Sequence, residues 1–147
     1  MEFLKLISKY YEVYIFTASS EIYANLIINM LDPNNKYIRG ILFREHCLQT
    51  KKGIFIKDLR IVKNRNLKDM LIVDNNAHAF ALQLENGIPI LDWKSDRKDR
   101  ELKYLMQYLL DLAYVDDVRS KNRDLLKLED LAKVEDLNSL LMDNNIN

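Results

Sequence analysis

The sequence predicts an α/β fold built on a parallel β-sheet. Two β-rich runs, Val13-Tyr14-Ile15-Phe16 and Met70-Leu71-Ile72-Val73, are apolar on both faces, the pattern of a strand covered from two sides. Each runs into a polar loop, Thr17-Ala18-Ser19 and Asp74-Asn75-Asn76. Segments with helical periodicity lie between the runs, and strands that alternate with helices give parallel sheets.

The elements follow in order. Phe3, Leu4, Ile7 and Tyr11 have helical spacing, so residues 1–11 open the chain as a helix. Residues 12–17 form the first buried strand. Ser19 or Ser20 can cap the next helix, and Glu21 suits its first turn. Ile22, Tyr23, Leu26, Ile27 and Met30 are expected to form that helix's buried stripe, and Asp32-Pro33-Asn34-Asn35 to end it. Residues 37–43 and 53–56 read as short strands of a small antiparallel insertion. Residues 70–73 are the second buried strand and 77–84 a short helix. Asn86-Gly87 is a turn signal, and Ile88-Pro89-Ile90-Leu91 is a third strand, placed near an edge because proline cannot donate to a ladder. Residues 99–114 form an amphipathic helix with Leu102, Leu105, Met106, Leu109 and Leu110 on one face. Leu128, Leu131, Val134, Leu137 and Leu141 extend helical spacing over 121–142, and residues 143–147 should fray.

The chain has 147 residues, 48% hydrophobic and 30% charged, enough for one domain with a real core. Its 22 basic and 22 acidic residues cancel, which argues against non-specific nucleic-acid binding. A local basic patch remains open at Lys51-Lys52 and across residues 57–65, with a solvated face as the plainer account. The single Cys47 excludes an internal disulfide and a cysteine-based zinc cage. Met1-Glu2 lacks the basic start of a signal peptide, and no run approaches the ~18 apolar residues of a membrane helix.

Ligands of open α/β sheets sit beyond the carboxyl ends of the parallel strands. At the first such end, the Thr17 hydroxyl and the backbone N–H groups after it can grip a phosphate at a helix N-terminus. At the second, Asp74 and Asn75 offer hard oxygen ligands suited to Mg²⁺. Lys57 lies between them in sequence and can neutralise phosphate charge and steady a carboxylate. Phosphoryl transfer is mostly positioning and charge stabilisation, so the three groups make chemical sense together. Each also has a plainer reading, as a helix cap, a turn and a solvent-exposed lysine. Asp58, beside Lys57 in a loop, and Asp92, after the edge strand, are poor substitutes for an absent strand-borne nucleophile. His46 and His78 form no metal motif, and Cys47 reads as a small buried residue.

Taken together, the segments resemble the small C-terminal-domain phosphatases, enzymes of haloacid-dehalogenase type that act on the C-terminal domain of RNA polymerase II. The resemblance is carried by Tyr11-Glu12-Val13-Tyr14-Ile15-Phe16-Thr17-Ala18-Ser19, Leu42-Phe43-Arg44-Glu45, Ile56-Lys57-Asp58-Leu59, Leu71-Ile72-Val73-Asp74-Asn75, Glu85-Asn86-Gly87-Ile88-Pro89-Ile90 and Val115-Asp116-Asp117-Val118-Arg119, in that order. It covers residues 1–120, which would form the phosphatase-like domain, with 121–147 as a helical tail. It implies a haloacid-dehalogenase-like Rossmannoid parallel sheet with a small antiparallel β insertion. It implies that Thr17 binds the transferring phosphoryl group, that Lys57 stabilises phosphate and nucleophile, and that Asp74 and Asn75 hold Mg²⁺. Arg44 and Tyr23 would contact the phosphopeptide, while Ser20 departs from the apolar residue usual there. The implied partner is a phosphoprotein, with the polymerase C-terminal domain as a candidate, and the implied compartment is intracellular and nuclear.

The family's nucleophile and acid/base pair come from a motif DxDx(T/V) on the first, central strand, and no Asp-x-Asp occurs in these 147 residues. The expectation is therefore a sheet without that strand, and a chain without metal-dependent phosphatase activity by itself. Two functional classes follow. One is a Mg²⁺-dependent Ser/Thr phosphoprotein phosphatase domain that works through an aspartyl-phosphate once completed. The other is a pseudophosphatase that serves as a protein-binding module.

Overall fold

The computed structural model describes residues 2–128. They fall into two compact units, one of residues 2–46 with Trp93–Tyr114, the other of Cys47–Asp92 with residues 115–128.

The first unit holds α1 (Glu2–Ile7), β1 (Val13–Phe16), α2 (Glu21–Leu31), β2 (Ile38–Leu42) and α3 (Glu101–Leu112). β1 and β2 pair in parallel, from Tyr14 opposite Gly40 to Phe16 opposite Leu42, with an irregularity before Tyr14. α2 is the crossover between them. Its Ala24 and Ile28 pack with Ile38 of β2, and Leu4, Ile15, Ile41 and Phe43 close around that cluster. α1 packs on α3, and the Tyr11 hydroxyl donates to the Leu109 carbonyl. Burial pushes the Tyr11 phenol up to about 12.

Asp32 joins α2 to β2. Its backbone N–H closes the helix on Ile28, while its carboxylate accepts from the backbone of Lys36, Tyr37 and Ile38. Burial alone would raise its pKa. The three N–H donors and the Lys36 charge outweigh that and hold it below the usual carboxylate range.

Two expectations are corrected in this unit. Residues 38–42 are not part of an antiparallel insertion but a parallel partner of β1. The expected buried stripe of α2 is also on the wrong face: Ile22, Tyr23, Leu26, Ile27 and Met30 are exposed, and Ala24 and Ile28 are buried. Eight of the eleven residues in Glu-Ile-Tyr-Ala-Asn-Leu-Ile-Ile-Asn-Met-Leu are apolar, so the pattern carries no unique inner face. The close approach to β2 selects the face with the alanine. In α3 the buried line is Leu105, Leu109 and Leu112, with Leu102 exposed.

The second unit holds β3 (Leu48–Gln49), β4 (Phe55–Ile56), β5 (Ile72–Asp74), β6 (Gly87–Pro89) and α4 (Val118–Leu126). β3 and β4 form the antiparallel insertion, while β5 and β6 pair in parallel. The stretch Ala77–Asn86 is 3-10 rather than α-helical, and breaks at Phe80 (φ −113°) and Gln83 (φ −138°). Leaving the helix sends the Gln83 amide to the Asp58 carboxylate and the Leu59 N–H. Phe80 is fully buried, with Leu59, Ile72 and Leu128 beside it. α4 starts three residues before the predicted boundary at 121 and stops at Lys127, which takes a left-handed φ of 49°. Leu128 then turns into the core. The predicted helical positions Leu131, Val134, Leu137 and Leu141 lie outside the described residues. Among the described residues no helix is long and apolar enough to cross a membrane.

Candidate functional site

In the first unit β1 delivers Thr17 to the loop before α2. The Thr17 backbone N–H donates to Leu42, and its hydroxyl accepts from the Ser19 backbone N–H at 3.1 Å. Ser20 holds the N-cap position of α2, but its side chain makes no cap bond. Arg44 follows β2 and turns back to this loop: its Nε donates to the Ala18 carbonyl at 2.6 Å and its backbone N–H to the Ser19 carbonyl. Thr17 and Arg44 are thus on adjoining loops, a hydroxyl and a guanidinium at the end of a parallel pair. Tyr23 lies in the first turns of α2 and is 59% exposed.

In the second unit β4 ends at Ile56, and the Lys57 backbone N–H donates to Ala79. The Lys57 ammonium forms an ion pair and hydrogen bond with the Asp74 carboxylate, the side chains being 13% and 8% exposed. Asp74 is the last residue of β5, and its other carboxylate oxygen accepts from the Asn76 backbone N–H. Asn75 donates through its amide nitrogen to Asp92 at 2.6 Å. Lys57, Asp74 and Asn75 therefore meet at one strand end, although seventeen positions separate the lysine from the first of them.

Asp92 is the residue that sequence reasoning undervalued. It follows the edge strand and reaches Asn75 because β6 runs parallel to β5, with Pro89 level with Asp74. That register was the missing signal. Asp58 is not a free carboxylate: Arg60 grips it bidentately, and its pKa is lowered first by that hydrogen bond, against burial.

The donor set suits Mg²⁺. A carboxylate, an amide oxygen left over once Asp92 holds the amide nitrogen, and a neighbouring carboxylate are all hard oxygen groups. Magnesium is commonly held by one or two carboxylates, with water and phosphate oxygens completing its shell. Among the described residues no group of three or more His, Cys, Asp or Glu side chains is placed to enclose a metal by itself.

Residues 1–119 match the family model described as NLI interacting factor-like phosphatase. The chain is 46% identical over 130 residues to CTD small phosphatase-like protein 2 of Dictyostelium discoideum, covering 88% of this chain and 22% of that protein. It is 43% identical over 129 residues to CTD small phosphatase-like protein 3 of Caenorhabditis elegans, covering 87% and 44%. The chain thus spans less than half the length of these relatives. In structure it resembles Fcp1, an essential RNA polymerase II CTD phosphatase, with a TM-score of 0.64 at 17% identity over 76% of this chain and 44% of that one, a likeness of fold. With six motif segments in order and a match over most of its length, this chain belongs to the NLI interacting factor-like phosphatase family.

Proposed function

We propose that this chain carries part of a Mg²⁺-dependent phosphoprotein phosphatase site, in a domain over residues 1–120 with 121–147 as a tail. The observation that carries the reading is the Lys57–Asp74 pair at the carboxyl end of β5. Breaking such a largely buried pair would leave an uncompensated charge, and an ammonium held beside a carboxylate at a strand end fits a site that handles phosphate. In this reading Thr17 donates its hydroxyl and loop N–H groups to the phosphoryl oxygens, and Arg44 and Tyr23 hold the peptide that bears them. Lys57 balances the charge of the phosphoryl group and steadies the attacking carboxylate. Asp74 and Asn75 would hold Mg²⁺, which when bound offsets negative charge on the phosphate. The attacking carboxylate that the family resemblance implies is not among these residues, since they contain no Asp-x-Asp. The substrate is a phosphoserine or phosphothreonine protein, with the RNA polymerase II C-terminal domain as a candidate, and the compartment is the nucleus.

The test is phosphate release from phosphoserine peptides by this chain joined to a DxDx(T/V) segment, with Mg²⁺ or with excess EDTA. Turnover should need Mg²⁺, and Lys57→Ala should lower kcat by ~100-fold or more, the scale of losing one preorganised charge-stabilising group. Mg²⁺-independent turnover, or an unchanged kcat in Lys57→Ala, would overturn the assignment.

A further inference from the structure

We infer that the outer face of α2 is a self-association surface, on which a second copy of this chain docks its own α2 in the antiparallel sense. The inference does not rest on the phosphatase reading.

α2 packs inward through Ala24 and Ile28. An α-helix turns ~100° per residue, so Leu26, two positions from each, is turned ~200° from both. Ile22 and Met30 stand one turn to either side of it. Ile22, Leu26 and Met30 are 79%, 62% and 81% exposed, and form one ridge at spacing i, i+4, i+8. Tyr23, Ile27 and Leu31 are exposed in a second row along its flank. At roughly 200 Å² for a fully open large side chain, the six expose about 700 Å² of mostly apolar surface. The largest patch on an ordinary monomer is ~300–600 Å², and each partner of a standard interface buries ~800 Å². The face is therefore large enough for a dimer. Completing the sheet would not cover it, because a strand beside β1 lies in the layer that Ala24 and Ile28 face.

Shape and charge select the second copy. A ridge of i±4 residues packs into the matching groove of another such helix at a crossing of about −50°. With Leu26 at the two-fold axis, Ile22 of each copy meets Met30 of the other, so the surface is complementary to itself. Glu21, at the N-terminus, is the one charged residue of α2. Antiparallel packing keeps the two Glu21 side chains at opposite ends and sets unlike helix-dipole ends side by side, whereas parallel packing would bring like charges together. Residues 129–147 are the competing occupant within this chain. They carry five acids and one lysine, and α2 offers no cation to meet them.

The experiment is sedimentation equilibrium of the whole chain across the micromolar range. The mass should rise with concentration from the 17.4 kDa of one chain toward twice that. Leu26→Glu would bury two facing carboxylates without partners, so it should weaken association at least ~10-fold while the urea midpoint of dilute protein stays unchanged. If that variant misfolds, Met30→Lys, at the most exposed position of the ridge, serves the same purpose. Register is read in a Cys47→Ser background under mild oxidant. Leu26→Cys should cross-link to itself, and Ile22→Cys to Met30→Cys in preference to itself. A one-chain mass at every concentration would overturn the inference, and so would association that Leu26→Glu and Met30→Lys leave unchanged. Ile22→Cys pairing with itself rather than with Met30→Cys would overturn the antiparallel arrangement.

Discussion

Gly87→Ala should destabilise the protein through one contact. Gly87 opens β6, pairs with Ile72 in β5, and has an ordinary φ of −82°, so alanine meets no backbone strain there. On conformational grounds the change would even stabilise by ~0.5 kcal/mol. Space decides otherwise. A Cβ on Gly87 would sit 2.7 Å from the Phe80 Cγ, and closer still to Cδ2 and Cε2. Ordinary carbon contacts lie near 3.5–4.0 Å. Phe80 is 0% exposed and cannot swing outward, while the Gly87 backbone is tied to Leu84 and Asn122. Overpacking of this kind costs ~1–3 kcal/mol, so a net loss of ~2 kcal/mol is expected. Urea denaturation of wild type and variant measures it. Adding Phe80→Leu should recover at least ~1 kcal/mol relative to the sum of the single changes, because the clash partner shrinks. A Gly87→Ala protein within ~0.5 kcal/mol of wild type, or a strictly additive double variant, would refute the packing argument.

Two further outcomes follow. The Arg119 hydrogen bond holds the Asp117 carboxyl at about 2, so this group adds stability above its unfolded value of ~3.9 and loses it as pH falls through about 2. Asp117→Asn should therefore be less stable than wild type at neutral pH, and the two should converge in strong acid. A gap that is the same at every pH in an acid unfolding series would contradict this. Asn86→Ala should cost ~2 kcal/mol by orphaning the carbonyls of Leu67 and Met70, and should speed amide exchange across residues 62–70. Unchanged exchange there would show that this segment is held by something else.

The parallel character of the fold was legible because β1 and β5 carry apolar residues on both faces and end in polar loops. The antiparallel insertion was legible only at β3 and β4. β2 was assigned to it because Ile38 to Leu42 lacks a signal for its partner, and parallel pairing is settled by a crossover helix rather than by a local turn. Residues 77–84 read as a short helix; the stretch is 3-10 and breaks at Gln83, whose side chain bonds Asp58 and Leu59. Gly87 read as a turn glycine, although its role is space for Phe80. Lys57, Asp74 and Asn75 were visible as polar punctuation at strand ends, whereas Asp92 needed the register of β6.

The first unit is assembled from two stretches of chain, with the bond from Tyr11 to Leu109 spanning 98 positions. At ~5–20 residues per second, a ribosome delivers Leu109 roughly 5–20 seconds after Tyr11. During that wait β1, α2 and β2 can already form their local parallel pair. α1, however, still lacks the α3 surface that covers it. The nascent chain thus shows an uncovered α1 beside an α2 whose outer face is apolar even in the finished fold. This interval is when chaperone engagement should be heaviest, and slowing translation across residues 93–112 should lengthen it.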